Sequence, residues 1–76
     1  MEISLIDLRN GKKARIKRFE GGSTLQTRLA YLNIRVGKEI KMVAMQPFRG
    51  PVVIEVGGRR VTLGRGIAEK IFIEKE

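Results

Sequence analysis

A chain of 76 residues has room for one domain and one small core, with about 60 % of its unfolded surface buried on folding. It contains no cysteine and no histidine, which removes disulfides, thiolate chemistry, the usual zinc and iron ligand sets and imidazole acid–base catalysis, so packing alone must hold the fold. Sixteen Lys and Arg against eight Asp and Glu give a net charge of +8, concentrated in residues 9 to 18, where Arg9, Lys12, Lys13, Arg15, Lys17 and Arg18 meet no acid. Such a surface favours an acidic partner, nucleic acid or anionic lipid, although a solvated, solubilising face is the commoner reason for a charge run.

From the start, MEISLIDLRN has neither a basic beginning nor an apolar signal core, and no apolar run approaches the ~20 residues that span a bilayer. A cytoplasmic protein without membrane insertion is expected. SLIDL predicts a single helical turn with Ser4 as its cap and Leu5 and Leu8 three apart, and Asn10-Gly11 marks a turn. In ARIKRF, Ala14 and Ile16 alternate with Arg15 and Lys17, which predicts a first strand over 14–19.

Gly21-Gly22 then breaks the chain ahead of a helix. Leu25, Leu29 and Leu32 fall at i, i+4 and i+7 on one stripe, with Gln26, Thr27, Ala30 and Tyr31 turned away. Ser23 or Thr24 can cap its start. Asn33 tolerates a left-handed conformation and can end the helix in a Schellman motif, bringing Ile34 onto Leu29. A helix of about ten residues is marginal alone in water, so the stripe must cover an apolar surface built by the flanking segments.

Arg35 to Lys38 makes a connection, and Ile40, Met42 and Ala44 alternate with Lys41, Val43 and Met45 in a second strand that is apolar on both faces. Pro47, Gly50 and Pro51 mark a loop with Phe48 at its tip. PVVIEVGGRRVTLG is a hairpin, Val52, Ile54 and Val56 running out to a Gly57-Gly58 turn and Val61 and Leu63 returning. Gly64-Arg65-Gly66 interrupts again, Ile67 to Lys70 forms a helical turn, and Ile71 and Ile73 lie on a short closing strand. The predicted fold is all-β. It is a single domain over residues 1–76, a small antiparallel barrel of about five strands with one short helix inserted between strands 1 and 2.

The turn SLIDL, the glycine of NG, the strand ARIKRF, the pair GG, the run RLAYLNIRVG, the loop residues Pro47 and Gly50-Pro51, and VTL followed by AEKIFI together resemble the ferrous iron transport protein A (FeoA) family over residues 4 to 73. The most specific part is Arg28-Leu29, Leu32, Ile34 and Gly37, which matches R-L-x-x-L-G-I-x-x-G with Asn33 where glycine is usual. Gly64 stands in place of a common arginine, and Gln46 and Phe48-Arg49 in place of commoner small residues. The resemblance implies an SH3-like barrel that serves, in the cytoplasm or at the inner face of the membrane, as an accessory to FeoB, the membrane Fe(II) transporter with a GTPase domain. The same barrel is similar to the C-terminal domain of metal-dependent repressors of the DtxR type, whose helix-turn-helix has no counterpart in this chain. Transition metal binding is implied by that analogy alone.

The residues themselves gather no metal site. Asp7, seven glutamates, Met42 and Met45 are the candidate ligands, nothing converges, and Fe(II) sites draw on imidazole with carboxylate. One of the two methionines is expected in the core and the other at its rim. No cofactor is expected. Gly21-Gly22-Ser23 before a helix lacks the P-loop spacing and its Lys-Ser/Thr pair. A lone aspartate without histidine or cysteine offers no catalytic set, so the chain is read as a non-enzymatic interaction module.

Its candidate partner-binding residues are Arg28 and Tyr31 on the helix, Arg35 beyond it, and Phe48 and Arg49 on the loop. Arg28 flanks the leucine stripe and has a plain alternative role, its stem covering the core edge. A basic nucleic-acid-binding barrel is the rival reading, weakened by four scattered aromatics, Phe19, Tyr31, Phe48 and Phe72. A metal-responsive regulatory domain of the repressor type is a further alternative. Exposed strand edges leave room for self-association.

Overall fold

Alternation of apolar and polar side chains builds the expected β scaffold, and the computed structural model describes it for residues 1–46, 48 and 50–76. Its strands are β1 (Glu2–Ser4), β2 (Lys13–Phe19), β3 (Glu39–Met45), β4 (Val52–Val56), β5 (Arg59–Leu63) and β6 (Ile71–Lys75). Helix α1 (Ser23–Tyr31) lies between β2 and β3, a short helix α2 (Arg65–Ala68) precedes β6, and a 3-10 turn occupies Leu5–Asp7. All pairings are antiparallel, and the strands run in the order β1-β6-β2-β3-β4-β5.

β1 is the strand that pattern reading does not foresee. It has three residues, too few to display alternation, and it exists through pairing with β6, Ile3 opposite Ile73. The Met1 amine donates to Glu74 Oε1 at 2.8 Å, and the Ser4 hydroxyl donates to the Glu69 carbonyl at 3.2 Å. Ser4 does precede the 3-10 turn, but its side chain makes no cap bond there. That hydroxyl instead ties the end of β1 to the end of α2.

The curl of the sheet comes from two register shifts, one between Ile16 and Arg18 against β6 and one between Met42 and Ala44 against β4. An extra residue in one strand bends it and increases its twist. Beyond the second shift the alternation expected for Ile40, Met42 and Ala44 fails: Ile40 and Met42 are buried, while Ala44 and Met45 are half-buried. Met42 is thus the core methionine and Met45 the rim one.

The hairpin forms as expected, with Val52, Ile54, Val56 and Leu63 buried. Gly57 and Gly58 adopt φ of +59° and +76°, the paired left-handed conformations of a tight turn that matches strand twist. Fifteen apolar residues make one core, and no polar side chain is buried among the described residues.

Helix α1 departs from expectation at its start. Gly22, not Ser23 or Thr24, is the N-cap, without any side-chain cap bond. Its carbonyl accepts from the amides of Leu25 at 3.1 Å and Gln26 at 3.4 Å, so the cap lies one residue before the first hydroxyl and Ser23 opens the helix. The end is as expected: Asn33 has φ +65°, its amide donates to the Ala30 carbonyl at 2.9 Å, and the Ile34 amide donates to the Leu29 carbonyl at 3.0 Å. Those two bonds define a Schellman ending, and Ile34 enters the core with Leu29.

The leucine stripe is only partly buried. Leu29 is 2 % exposed and Leu25 half-buried, whereas Leu32 is 43 % exposed. The helix stops at Tyr31 and Leu32 is its C-cap at φ −92°, ψ 9°. Leu32 still lines the cleft with Leu25 and Leu29, but at the helix end it is left open to solvent.

Two glutamates near the chain's end titrate in opposite directions. The N-terminal ammonium, by hydrogen bond, holds Glu74 below the ordinary glutamate value. Glu76 is pushed up, first by a hydrogen bond shared with Glu39, against the pull of Arg15, whose guanidinium stands 3.7 Å away. A lowered folded pKa gives stability that is present above the unfolded value and lost as pH falls through the folded one; a raised one gives stability present at low pH and lost as pH rises. Carboxyl-resolved NMR titration should place the Glu74 midpoint below that of Glu76, and Glu39→Gln should move Glu76 downward without touching Glu74. Coincident midpoints would refute both contacts.

Candidate functional site

Two clefts flank the hairpin. One, of about 370 Å3, opens between α1 and the end of β5 and is lined by Leu25, Arg28, Leu29, Tyr31 and Leu32 from the helix side, with Thr62, Leu63, Gly64 and Ile67 opposite. It continues into a smaller cleft of about 290 Å3, where Tyr31 and Leu32 face Arg59, Arg60, Val61 and Thr62. The second, of about 430 Å3, lies across β2, β3 and β4 beside the Gly57-Gly58 turn and carries Lys13, Arg15, Lys38 and Lys41 with Glu39 and Glu55. The first is an apolar trough with an arginine rim; the second is a polar surface of mixed sign.

Of the residues singled out from the sequence, the structure brings Arg28 and Tyr31 into the first cleft. Tyr31 is 86 % exposed, and beside it Leu32 and, past the helix, Val36 also present apolar surface to solvent. Tyr31 and Leu32 line the same cleft wall, and adjoining exposed apolar side chains on a small domain mark a surface that a partner can cover. Arg28 is exposed. Arg35 is exposed too, on the turn where the Lys38 amide donates to its carbonyl at 3.1 Å, but it lines neither cleft.

Phe48 is almost fully exposed at φ +57°. It lines neither of the clefts that Tyr31 lines. Arg49 lies outside the described residues, as does Pro47. Arg59, Arg60 and Thr62 were not among the candidates. The signal for the two arginines was an Arg-Arg pair directly after a Gly-Gly turn.

The basic run of residues 9 to 18 is partly neutralised. Arg18 donates to Glu2 Oε1 at 2.8 Å and to Glu20 Oε2 at 3.4 Å, with Glu2 the main reason its pKa is raised, and its guanidinium covers the Phe72 ring at 4.1 Å. Phe72 is thereby no open stacking platform, and Phe19 packs on the core. Among the described residues no group of three or more His, Cys, Asp or Glu is placed to hold a metal ion. No described helix is long and apolar enough to cross a membrane.

The FeoA domain model matches residues 3–75. A relative from Methanocaldococcus jannaschii, named as an Fe(2+) transport protein A, is 32 % identical over 66 residues, covering 87 % of this chain and 78 % of that protein. Among solved structures, the crystal structure of an iron uptake regulatory protein, FeoA, superposes with a TM-score of 0.92 at 28 % identity over the whole of both chains. Iron(II) transport protein A from Clostridium thermocellum gives 0.89 at 34 % identity, covering 96 % of this chain and 45 % of that one. A manganese-dependent transcriptional repressor shares the fold at a TM-score of 0.89 and 18 % identity, this chain spanning 42 % of it. With its small SH3-like fold, and a match running from the first strand to the last, the chain belongs to the FeoA domain family, whose members take part in ferrous iron transport.

Proposed function

We propose that this protein binds the FeoB GTPase-coupled Fe(II) transporter on its cytoplasmic side and regulates it through protein–protein contacts, with no chemistry of its own. The observation that carries the reading is the exposed apolar surface at the C-terminal end of α1, where Tyr31, Leu32 and Val36 stand 86 %, 43 % and 62 % exposed. Arg28 and Arg35 flank it, and aromatic side chains with arginine are the usual anchors of protein interfaces. Family membership supplies the pathway, and the transporter's membrane supplies the location.

Immobilised transporter cytoplasmic domains should retain the purified protein with a Kd of roughly tens of micromolar or tighter, and Tyr31→Ala should reduce retention severalfold without changing the thermal midpoint. No retention with any guanine nucleotide, nor with transporter embedded in membrane, would sink the reading. The mixed polar cleft and the net charge of +8 favour one competing role, binding of nucleic acid. Titration with random RNA and DNA is expected to give weak binding that vanishes by physiological salt, the behaviour of simple charge attraction. Salt-resistant binding would instead support the competitor.

A further inference from the structure

Strand β5 ends the sheet. It pairs with β4 alone, and among the described residues no hydrogen bond from outside that pairing reaches residues 59–63. In an antiparallel ladder alternate residues direct both backbone groups to the partner and the others direct theirs away, so the outer side of β5 carries unpaired N–H and C=O groups. The smaller cleft against it is lined by Arg59, Arg60, Val61 and Thr62 in unbroken succession. This end strand and α1 thus wall one trough, which continues to Leu63 and Ile67.

Charge selects what can enter. Arg28, Arg59 and Arg60 line the trough and no Asp or Glu does. Among the described residues none of the three makes an ion pair. We propose that this trough binds an extended acidic segment of a partner protein, which adds a strand to β5. The segment seats a large apolar side chain against Leu29, Leu63 and Ile67 and sets carboxylates on Arg28, Arg59 and Arg60. A second copy of this chain fits less well, because two β5 edges side by side bring four arginines, Arg59 and Arg60 of each, onto one seam. The proposal rests on the α1 end being the partner face and adds the chemistry of what covers it.

The test is a titration of isotope-labelled protein with a short blocked peptide alternating Glu with Val and Leu, beside its counterpart carrying Lys for Glu. The acidic peptide should give saturating NMR shifts confined to residues 25–32 and 59–67 and slow the exchange of outward β5 amides. The lysine peptide should bind at least about tenfold more weakly. Arg59→Glu with Arg60→Glu changes two exposed side chains, so folded spectra are expected. That double variant should lose at least about tenfold in affinity for the acidic peptide and gain affinity for the lysine one.

No saturable shift, equal binding of both peptides, shifts centred on β2 and β3, or a β5-mediated dimer in sedimentation would each overturn the proposal. The double variant against the transporter's cytoplasmic domains separates the two readings. Full retention of binding together with a silent peptide discards the trough while leaving the docking reading intact. Failure of the unaltered protein to bind those domains discards docking, while the peptide titration still decides the trough.

Discussion

Leu29→Ala should remove about 2–5 kcal/mol of stability, and Leu32→Ala less than about 1 kcal/mol, although both leucines lie on the same predicted stripe. Leu29 is 2 % exposed and belongs to the single core, whereas Leu32 is 43 % exposed at the helix cap. Truncating the first opens a cavity under a helix of nine residues, which has too few turns to hold itself together in water. A domain of 76 residues is stable by about 4–11 kcal/mol in total, so the loss is a large fraction of the whole. By circular dichroism the midpoint of Leu29→Ala should fall by more than about 8 °C. Equal losses at the two positions would mean that α1 is held by the entire stripe, and a loss below about 1 kcal/mol at Leu29 would mean that this side chain does not dock it.

What was legible in the sequence is what short-range physics decides. The β4–β5 hairpin follows from alternation around two glycines, and the Schellman ending follows from Asn33 standing one residue before an apolar Ile34. Both need only neighbours in the chain. Leu32 lines one cleft with Leu25 and Leu29, but a helical wheel does not tell how far the core extends beneath the helix, and at its end Leu32 stays 43 % exposed. β1 escaped because a three-residue strand has no pattern of its own and depends on β6, some seventy positions away.

The bulge at Val43 leaves no trace in composition, since β3 is apolar on both faces and either register looks acceptable, whereas that at Lys17 falls where the alternation of β2 breaks at Lys17-Arg18. The candidate site was half visible for the same reason. An exposed Tyr31 off the stripe can be read from the wheel. That Arg59 and Arg60 stand opposite it follows only once β5 is known to be the outermost strand and α1 to lie along it.

Gly57→Val should cost at least about 2 kcal/mol, and its cost should fall when Asn33 is changed to glycine. Gly57 has φ +59°, a left-handed conformation that costs a side-chain-bearing residue about 1–2 kcal/mol and a β-branched one more. A Cβ there would stand 2.8 Å from Asn33 Nδ2, closer than unbonded atoms tolerate. Asn33 is itself left-handed at φ +65° and closes α1, so the added Cβ must displace the amide tip of the side chain at that helix end. Gly58→Asn is the control: φ is +76° and nothing lies within 4 Å, so it should cost under about 1 kcal/mol. In a double-mutant cycle Asn33→Gly keeps the left-handed turn and removes the obstructing amide. The pair should therefore be less destabilised than the sum by about 0.5–3 kcal/mol. Strict additivity would mean that backbone strain alone sets the cost and that the hairpin turn and the helix end are mechanically independent. Coupling would mean that the Asn33 amide is held against the hairpin turn firmly enough to add to the cost of a side chain at Gly57.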